Sequence, residues 1–220
     1  MQVFGIDVGS VRRKGGFAWS TADASQRGQD DPSQLGEAVL ASLKSGSPVA
    51  LAFECPLSVP VPAADGTGWT ELGRARAGEH NRSWSAGAGA GVLATGLVQV
   101  LWLLHYVDGR YGDVRATTQP RTFLEGRASL LLAEAMVTSD GKPEPVEGHQ
   151  DHADAVAAAL RLEELLASAE NGPVVSDVSC EPHVALNLAA VAALHAGVLL
   201  DPEELKQDVF VAKARPVIHR

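Results

Sequence analysis

Two apolar runs separated by an amphipathic segment constrain this chain more than anything else in it. Val3-Phe4-Gly5-Ile6 leads into Asp7 and a Val8-Gly9-Ser10 turn, and Pro48 to Phe53 leads into Glu54 and a Cys55-Pro56 turn. Between them, Asp31 can cap a helix whose first turn accepts Pro32. Leu35, Val39, Leu40 and Leu43 then share one face, and Gly46 ends the segment. A helix joining two buried strands implies a parallel crossover, because a tight turn joins only antiparallel neighbours. If the two strands lie side by side, Asp7 and Glu54 emerge at the same sheet edge. Open α/β sheets build their sites at that carboxyl edge.

The remaining chain extends this alternation. Phe17 to Ser20 reads as an antiparallel partner of the first strand, reached through Gly15-Gly16, and Thr21 to Asp31 carries a weak edge-strand signal. Pro56 to Ser83 is a long loop rich in Pro, Gly and Arg, and loops of that length in a compact domain tend to be functional or mobile. A helix is expected from about Trp84 to Val107, with small residues first and bulky ones after. Asp108 to Arg127 reads as a loop-rich connection. The short apolar run Ala128 to Val137 fits either a helix or a strand, and the alternation favours a strand. A turn-rich loop from Ser139 to Gly148 follows. His149 to about Ala169 is a helix with Leu160, Leu162, Leu165 and Leu166 in its core stripe, stopped at Asn171-Gly172-Pro173. The expected organisation is one α/β domain over 1–172, with antiparallel first strands, then parallel strands, flanked by helices. A mainly helical C-terminal extension over 173–220 holds helices at about Pro182 to Ala196 and Pro202 to Gln207.

The chain is long enough, at 220 residues with 45% hydrophobic content, for one full core. Its net charge of -9 offers no broad attraction to nucleic acid, so such a partner would need a local basic groove. Cys55 and Cys180 lack metal-ligand spacing and read as reduced, buried thiols, which places the protein in the cytoplasm. The N-terminus shows no signal-peptide pattern, and the apolar stretch from Val92 to Val107 is interrupted by Gln99 and His105, so no membrane association is expected. A homo-oligomer through an apolar face of the extension is compatible with this composition.

Asp7, Glu54, Asp151 and Asp154 form the candidate site, with Glu134 and His152 as weaker members. Asp151 and Asp154 are three apart and project from one helix face. Carboxylates converging from separate elements suit Mg²⁺ or Mn²⁺, hard cations that bind few acids and retain water and phosphate oxygens. Two such ions can activate a water and stabilise the leaving oxygen in phosphodiester cleavage. Lys14 and Arg13, with Arg74, Arg76 and Arg82, are candidates for holding a phosphate.

Gly5-Ile6-Asp7-Val8-Gly9, Ala52-Phe53-Glu54-Cys55-Pro56 and Asp151-His152-Ala153-Asp154 followed by an Ala-rich run together resemble the RNase H-like superfamily. Within it the pattern looks closest to RuvC-type resolvases and to the predicted nucleases of domain of unknown function family 429. The resemblance covers about residues 1 to 170. It implies a mixed sheet in which Asp7, Glu54, Asp151 and Asp154 are metal ligands of a nuclease.

Structural roles compete with each of these assignments. Asp7 can simply end a strand, Glu54 can occupy a turn, and Asp151 and Asp154 can complement a helix N-terminus. Glu134 fits a salt bridge, His149 and His152 fit a helix surface, Trp84 fits the core, and the loop cations fit solvent. Two other functions use the same elements. One is a non-catalytic binding or scaffolding protein of the same fold. The other is a phosphotransferase of the actin, Hsp70 and sugar-kinase type, which shares a Gly-Ile-Asp-Val-Gly strand but needs two such domains.

Overall fold

The computed structural model describes residues 1–79, 83–138, 141–145 and 149–215. Its centre is a mixed sheet. Strand β1 (Gln2–Asp7) pairs antiparallel with β2 (Ala18–Ser20), which pairs antiparallel with β3 (Arg27–Gln29). On its other side β1 runs parallel to β4 (Val49–Phe53). Helix α1 (Pro32–Lys44) makes the crossover from β3 to β4, and Asp31 caps it by accepting from the Ser33 N–H at 2.9 Å.

After β4 the chain forms β5 (Ser58–Val61) and then a single 3-10 turn before α2 (Gly87–Tyr111). Strand β6 (Ala116–Thr117) and the short helix α3 (Pro120–Leu124) lead to β7 (Leu130–Met136). Strand β7 lies parallel to both β4 and β6, and α4 (Gln150–Ala167) follows it. The C-terminal segment contributes β8 (Val184–Asn187), α5 (Leu188–His195), a 3-10 turn at Pro202–Lys206 and β9 (Val211–Lys213). The large sheet runs β3-β2-β1-β4-β7-β6, with β9 also paired to β7. This is the expected α/β arrangement of antiparallel strands followed by parallel ones, flanked by helices.

Side-chain size divides the two faces. Along β1 and β4, Phe4, Ile6, Leu51 and Phe53 point to one side, into a core shared with Leu35, Val39 and Leu40 of α1, Val100, Leu103 and Leu104 of α2, and Ala189 and Ala193 of α5. Val3, Ala50 and Ala52 point to the other side, with Leu131, Ala133 and Ala135 of β7, against Ala158, Ala159 and Leu162 of α4. The period of two along a strand produces this separation. The small face lets α4 approach the sheet unusually closely. A Cβ built on Gly5 would come within 1.9 Å of the Ala155 carbonyl oxygen and 2.6 Å of the Ala159 nitrogen, so only glycine fits there.

Three segments differ from the sequence reading. Residues 58–61 form a strand rather than loop, paired antiparallel with β8 in a separate two-stranded sheet. Pro60 hid it, because proline lowers strand propensity everywhere except at edges and bulges, and a strand in a two-stranded sheet is all edge. Residues 184–187, expected to be helical, are the partner strand, and α5 begins only at Leu188, capped by Asn187 accepting from the Ala190 N–H at 2.8 Å. Residues 211–213 form β9, so the segment after Pro173, expected to be mainly helical, carries strands as well as helices and contributes to the main sheet.

Helix α2 is long and apolar enough to cross a membrane by length and composition alone. In the fold it packs between α1 and α5, with Val100, Leu103, Leu104 and Val107 in the core. The two polar interruptions have partners. Gln99 Nε2 donates to the Gly9 carbonyl at 2.6 Å, and the His105 ring meets His195 edge to face. Both cysteines are free thiols and buried.

Candidate metal centre

Asp7 ends β1 at residue seven because the apolar run stops there, and its parity along the strand matches Val3 and Gly5, on the α4 side. Glu54 follows β4 with the parity of Ala50 and Ala52, so it faces the same way. The Glu54 N–H donates to the Ile6 carbonyl at 2.8 Å, which extends the parallel ladder one step and seats Glu54 beside the end of β1. Helix α4 then lays its first turns across this edge. The contact of Ala155 and Ala159 with Gly5 fixes its height, and Asp154 enters at the level of Asp7.

One carboxylate oxygen each from Asp7, Glu54 and Asp154 lie within 4.8 Å of one another. Glu54 and Asp154 are buried and Asp7 is half-buried. This spacing lets three oxygens share a single ion, and an all-oxygen donor set suits a hard cation. The three side chains could hold a metal ion.

Asp151 stands beside this group. Its charge and a side-chain hydrogen bond both act on Asp7. Burial pushes the Asp7 carboxyl up from its ordinary 3.8 to about 7, the charges of Asp151 and Asp154 add to the effect, and a hydrogen bond with Glu54 partly opposes it. Negative charge is concentrated where solvent is scarce, and this holds the Asp7 carboxyl well above the usual carboxylate range.

The glycine-rich loop after β1 borders the site. A Cβ on Gly9 would reach within 2.0 Å of the Gly16 carbonyl oxygen, so the loop closes tightly on itself. Gly15 has φ +72, its N–H donates to Asp30 Oδ1 at 2.8 Å, and its Cβ position lies 3.1 Å from Asp151 Oδ2. Arg12, Arg13 and Lys14 are exposed on this loop. Three cations thus precede Gly15 on this exposed loop.

The structure places Glu134 and Arg76 apart from this cluster. Glu134 belongs to the opposite face of the sheet, because its parity along β7 matches Leu130 and Leu132. There it accepts from both terminal nitrogens of Arg76, at 2.7 and 2.6 Å, and from the Leu57 N–H at 2.9 Å. Glu79 completes this network from Arg76 Nη2 at 3.0 Å and from the Arg76 and Trp84 N–H groups, each at 2.9 Å. Arg76 is therefore committed to a buried structural pair rather than to a phosphate, and Glu134 takes the salt-bridged role. Arg74 is exposed and pairs with Glu71. Arg82 lies outside the described residues. His152 is half-buried, with its ring edge to face against His149.

Two residues at the site carried no signal in the sequence. Gln150 Nε2 donates to Asp154 Oδ1 at 2.6 Å, and Lys142 Nζ lies 3.2 Å from Asp154 Oδ2. Gln150 could be noticed only as the (i, i+4) helical neighbour of Asp154. Lys142 lies in a Gly-Lys-Pro turn with no spacing relation to any acid.

No protein-family model, curated protein or solved structure matches this chain.

Proposed function

We propose that the protein is a metal-dependent nuclease that hydrolyses phosphodiester bonds with Mg²⁺ or Mn²⁺. The observation that carries this reading is the convergence of Asp7, Glu54 and Asp154 within 4.8 Å from two adjacent strand ends and one helix. The strand order, with an acid after the first and fourth strands and two more on a late Ala-rich helix, agrees with the RNase H-like resemblance of the sequence. A bound divalent ion would lower the pKa of a coordinated water and offset charge developing on the phosphate. The protein's own groups do the rest. Asp7, Glu54 and Asp154 supply the oxygen ligands, and Asp151 holds further negative charge at their rim. Lys14, with Arg12 and Arg13 on the exposed loop that leads to Gly15, would offer positive charge to a phosphate, a local exception to the net charge of -9.

The Lys142 contact with Asp154 supports a second reading, in which the acidic cluster does no chemistry and the chain is a non-catalytic binding protein of the same fold. One experiment separates the two. The purified protein is incubated with Mn²⁺ and single-stranded, duplex and branched DNA, and with RNA, while metal binding is followed by calorimetry. A nuclease cleaves at least one substrate, and Asp7→Asn, Glu54→Gln and Asp154→Asn each reduce the rate by roughly a hundredfold or more. Metal bound without cleavage of any substrate selects the second reading. Equal weak heats in wild type and Asp7→Asn remove the metal centre altogether.

A further inference from the structure

Asp154 has both oxygens engaged. Gln150 donates to Oδ1 at 2.6 Å, and the Lys142 ammonium lies 3.2 Å from Oδ2. The backbone on each side of Lys142 is fixed. The Gly141 N–H donates to the Thr138 carbonyl at 3.1 Å, and a Cβ on Gly141 would come within 2.3 Å of the Ala214 carbonyl oxygen, so residue 141 is wedged against the chain just past β9. On the other side, the Pro143 carbonyl accepts from Gln150 Nε2 at 3.1 Å. The same amide nitrogen that holds Asp154 therefore holds the Lys142 turn. The lysine side chain is different, at 41% exposed against 6% for Asp154. Its anchor is rigid while its ammonium stays within reach of water.

We propose that Lys142 is the resident counter-cation of the acidic cluster, and that it exchanges with a divalent ion at Asp154. The proposal rests on the metal-centre reading above. Asp7, Glu54, Asp151 and Asp154 crowd negative charge at one edge, and the Lys142 ammonium on Asp154 offsets part of it in the metal-free protein. A divalent ion contacting Asp154 meets this ammonium on the same carboxylate, where two cations repel each other. Lys142 can leave cheaply, because its side chain already reaches solvent and its stem is flexible. Lys142 thus sets the affinity of the centre as a positioning residue, without touching the reacting atoms.

The test uses Mn²⁺ with the full chain. Calorimetry compares wild type with Lys142→Met and Lys142→Gln, with circular dichroism confirming that each variant is folded. Exchange predicts that both variants bind Mn²⁺ more tightly, by roughly three- to tenfold, the scale of a partly exposed ion pair. Equal or weaker binding in both variants, with wild type binding normally, overturns the exchange and leaves the metal centre standing. Absence of binding in wild type and in both variants removes the metal centre and the exchange together. A second readout needs no activity: acylation of Lys142 by an amine-reactive ester, measured by peptide mass spectrometry. Labelling rises severalfold when Mn²⁺ is added to wild type, and also in metal-free Asp154→Asn. Labelling unchanged in Asp154→Asn means that the pair does not form and overturns the proposal.

Discussion

Two buried acidic groups stand on neighbouring strands with opposite electrostatics. Within β7, Glu134 shares a buried network with Arg76 and Glu79, in which a bidentate guanidinium answers the carboxylate. At the ends of β1 and β4, Asp7 and Glu54 face Asp154 and Asp151, and Asp7 is driven up to about 7 by burial and by like charge. Both groups are desolvated, which is costly for any ion. One recovers the cost within the fold. In the other, the Lys142 ammonium meets Asp154, and the three carboxylates could hold a metal ion. Burial of an acid therefore says little about its role here, whereas the charge of its neighbours says much.

The largest expected effect breaks the geometry of the second group. Gly5→Ala puts a methyl carbon against the backbone of α4. Neither partner can rotate away, so the helix must lift from the sheet. Equilibrium urea unfolding should show a loss of about 3 kcal/mol or more, and Mn²⁺ binding should weaken as Asp154 withdraws from Asp7. Next comes the compensated group. Glu134→Gln leaves Arg76 buried with Glu79 as its remaining carboxylate partner, and should cost about 2–4 kcal/mol in the same measurement.

Asp7→Asn should have the opposite sign. A folded-state pKa above the unfolded value means that the folded protein holds the extra proton. The stability linked to Asp7 is fully present below pH 3.8 and is lost as pH rises through about 7. At pH 8 and without metal, the amide removes this loss and should stabilise the protein by about 1–2 kcal/mol, allowing for screening by solvent. The advantage should shrink at pH 5. A destabilised Asp7→Asn at pH 8 would erase the contrast between the two groups. The smallest effect belongs to Arg74→Ala. Its exposed pair with Glu71 should be worth no more than about 0.5 kcal/mol, and a larger value would mean that this loop contributes more to the fold than its exposure indicates.

Much of the site was legible in the sequence because it follows from strand endings. An apolar run that stops at an acid places the acid at a sheet edge, and the crossover through Pro32–Lys44 makes the edges of β1 and β4 coincide. The Ala-rich α4 with two acids in its first turns completed the reading. Glu134 reads as a weaker member of the site beside a salt-bridged residue, and the sequence carries enough to choose the salt bridge. The period of two puts it with Leu130 and Leu132, on the face away from Ala133 and Ala135. Counting parity from the large and small residues of β7 would have excluded it from the acidic cluster. Arg76 could not be read this way, since a loop residue has no periodicity and only the tertiary contact shows that it is buried.

The sequence alone determined the helical crossover between β1 and β4, their parallel pairing, and the edge at which Asp7 and Glu54 appear. These depend on apolar runs, caps and crossover rules, which act over short stretches of chain. Tertiary structure alone decided how close the acids come and what answers their charge. Gly5 sets the distance of α4 from the sheet, Arg76 neutralises Glu134 from 58 residues away, and Lys142 reaches Asp154 from an irregular turn. Such contacts join residues that no local pattern relates, and electrostatic energy depends on distance and solvent exposure, which are properties of the folded chain.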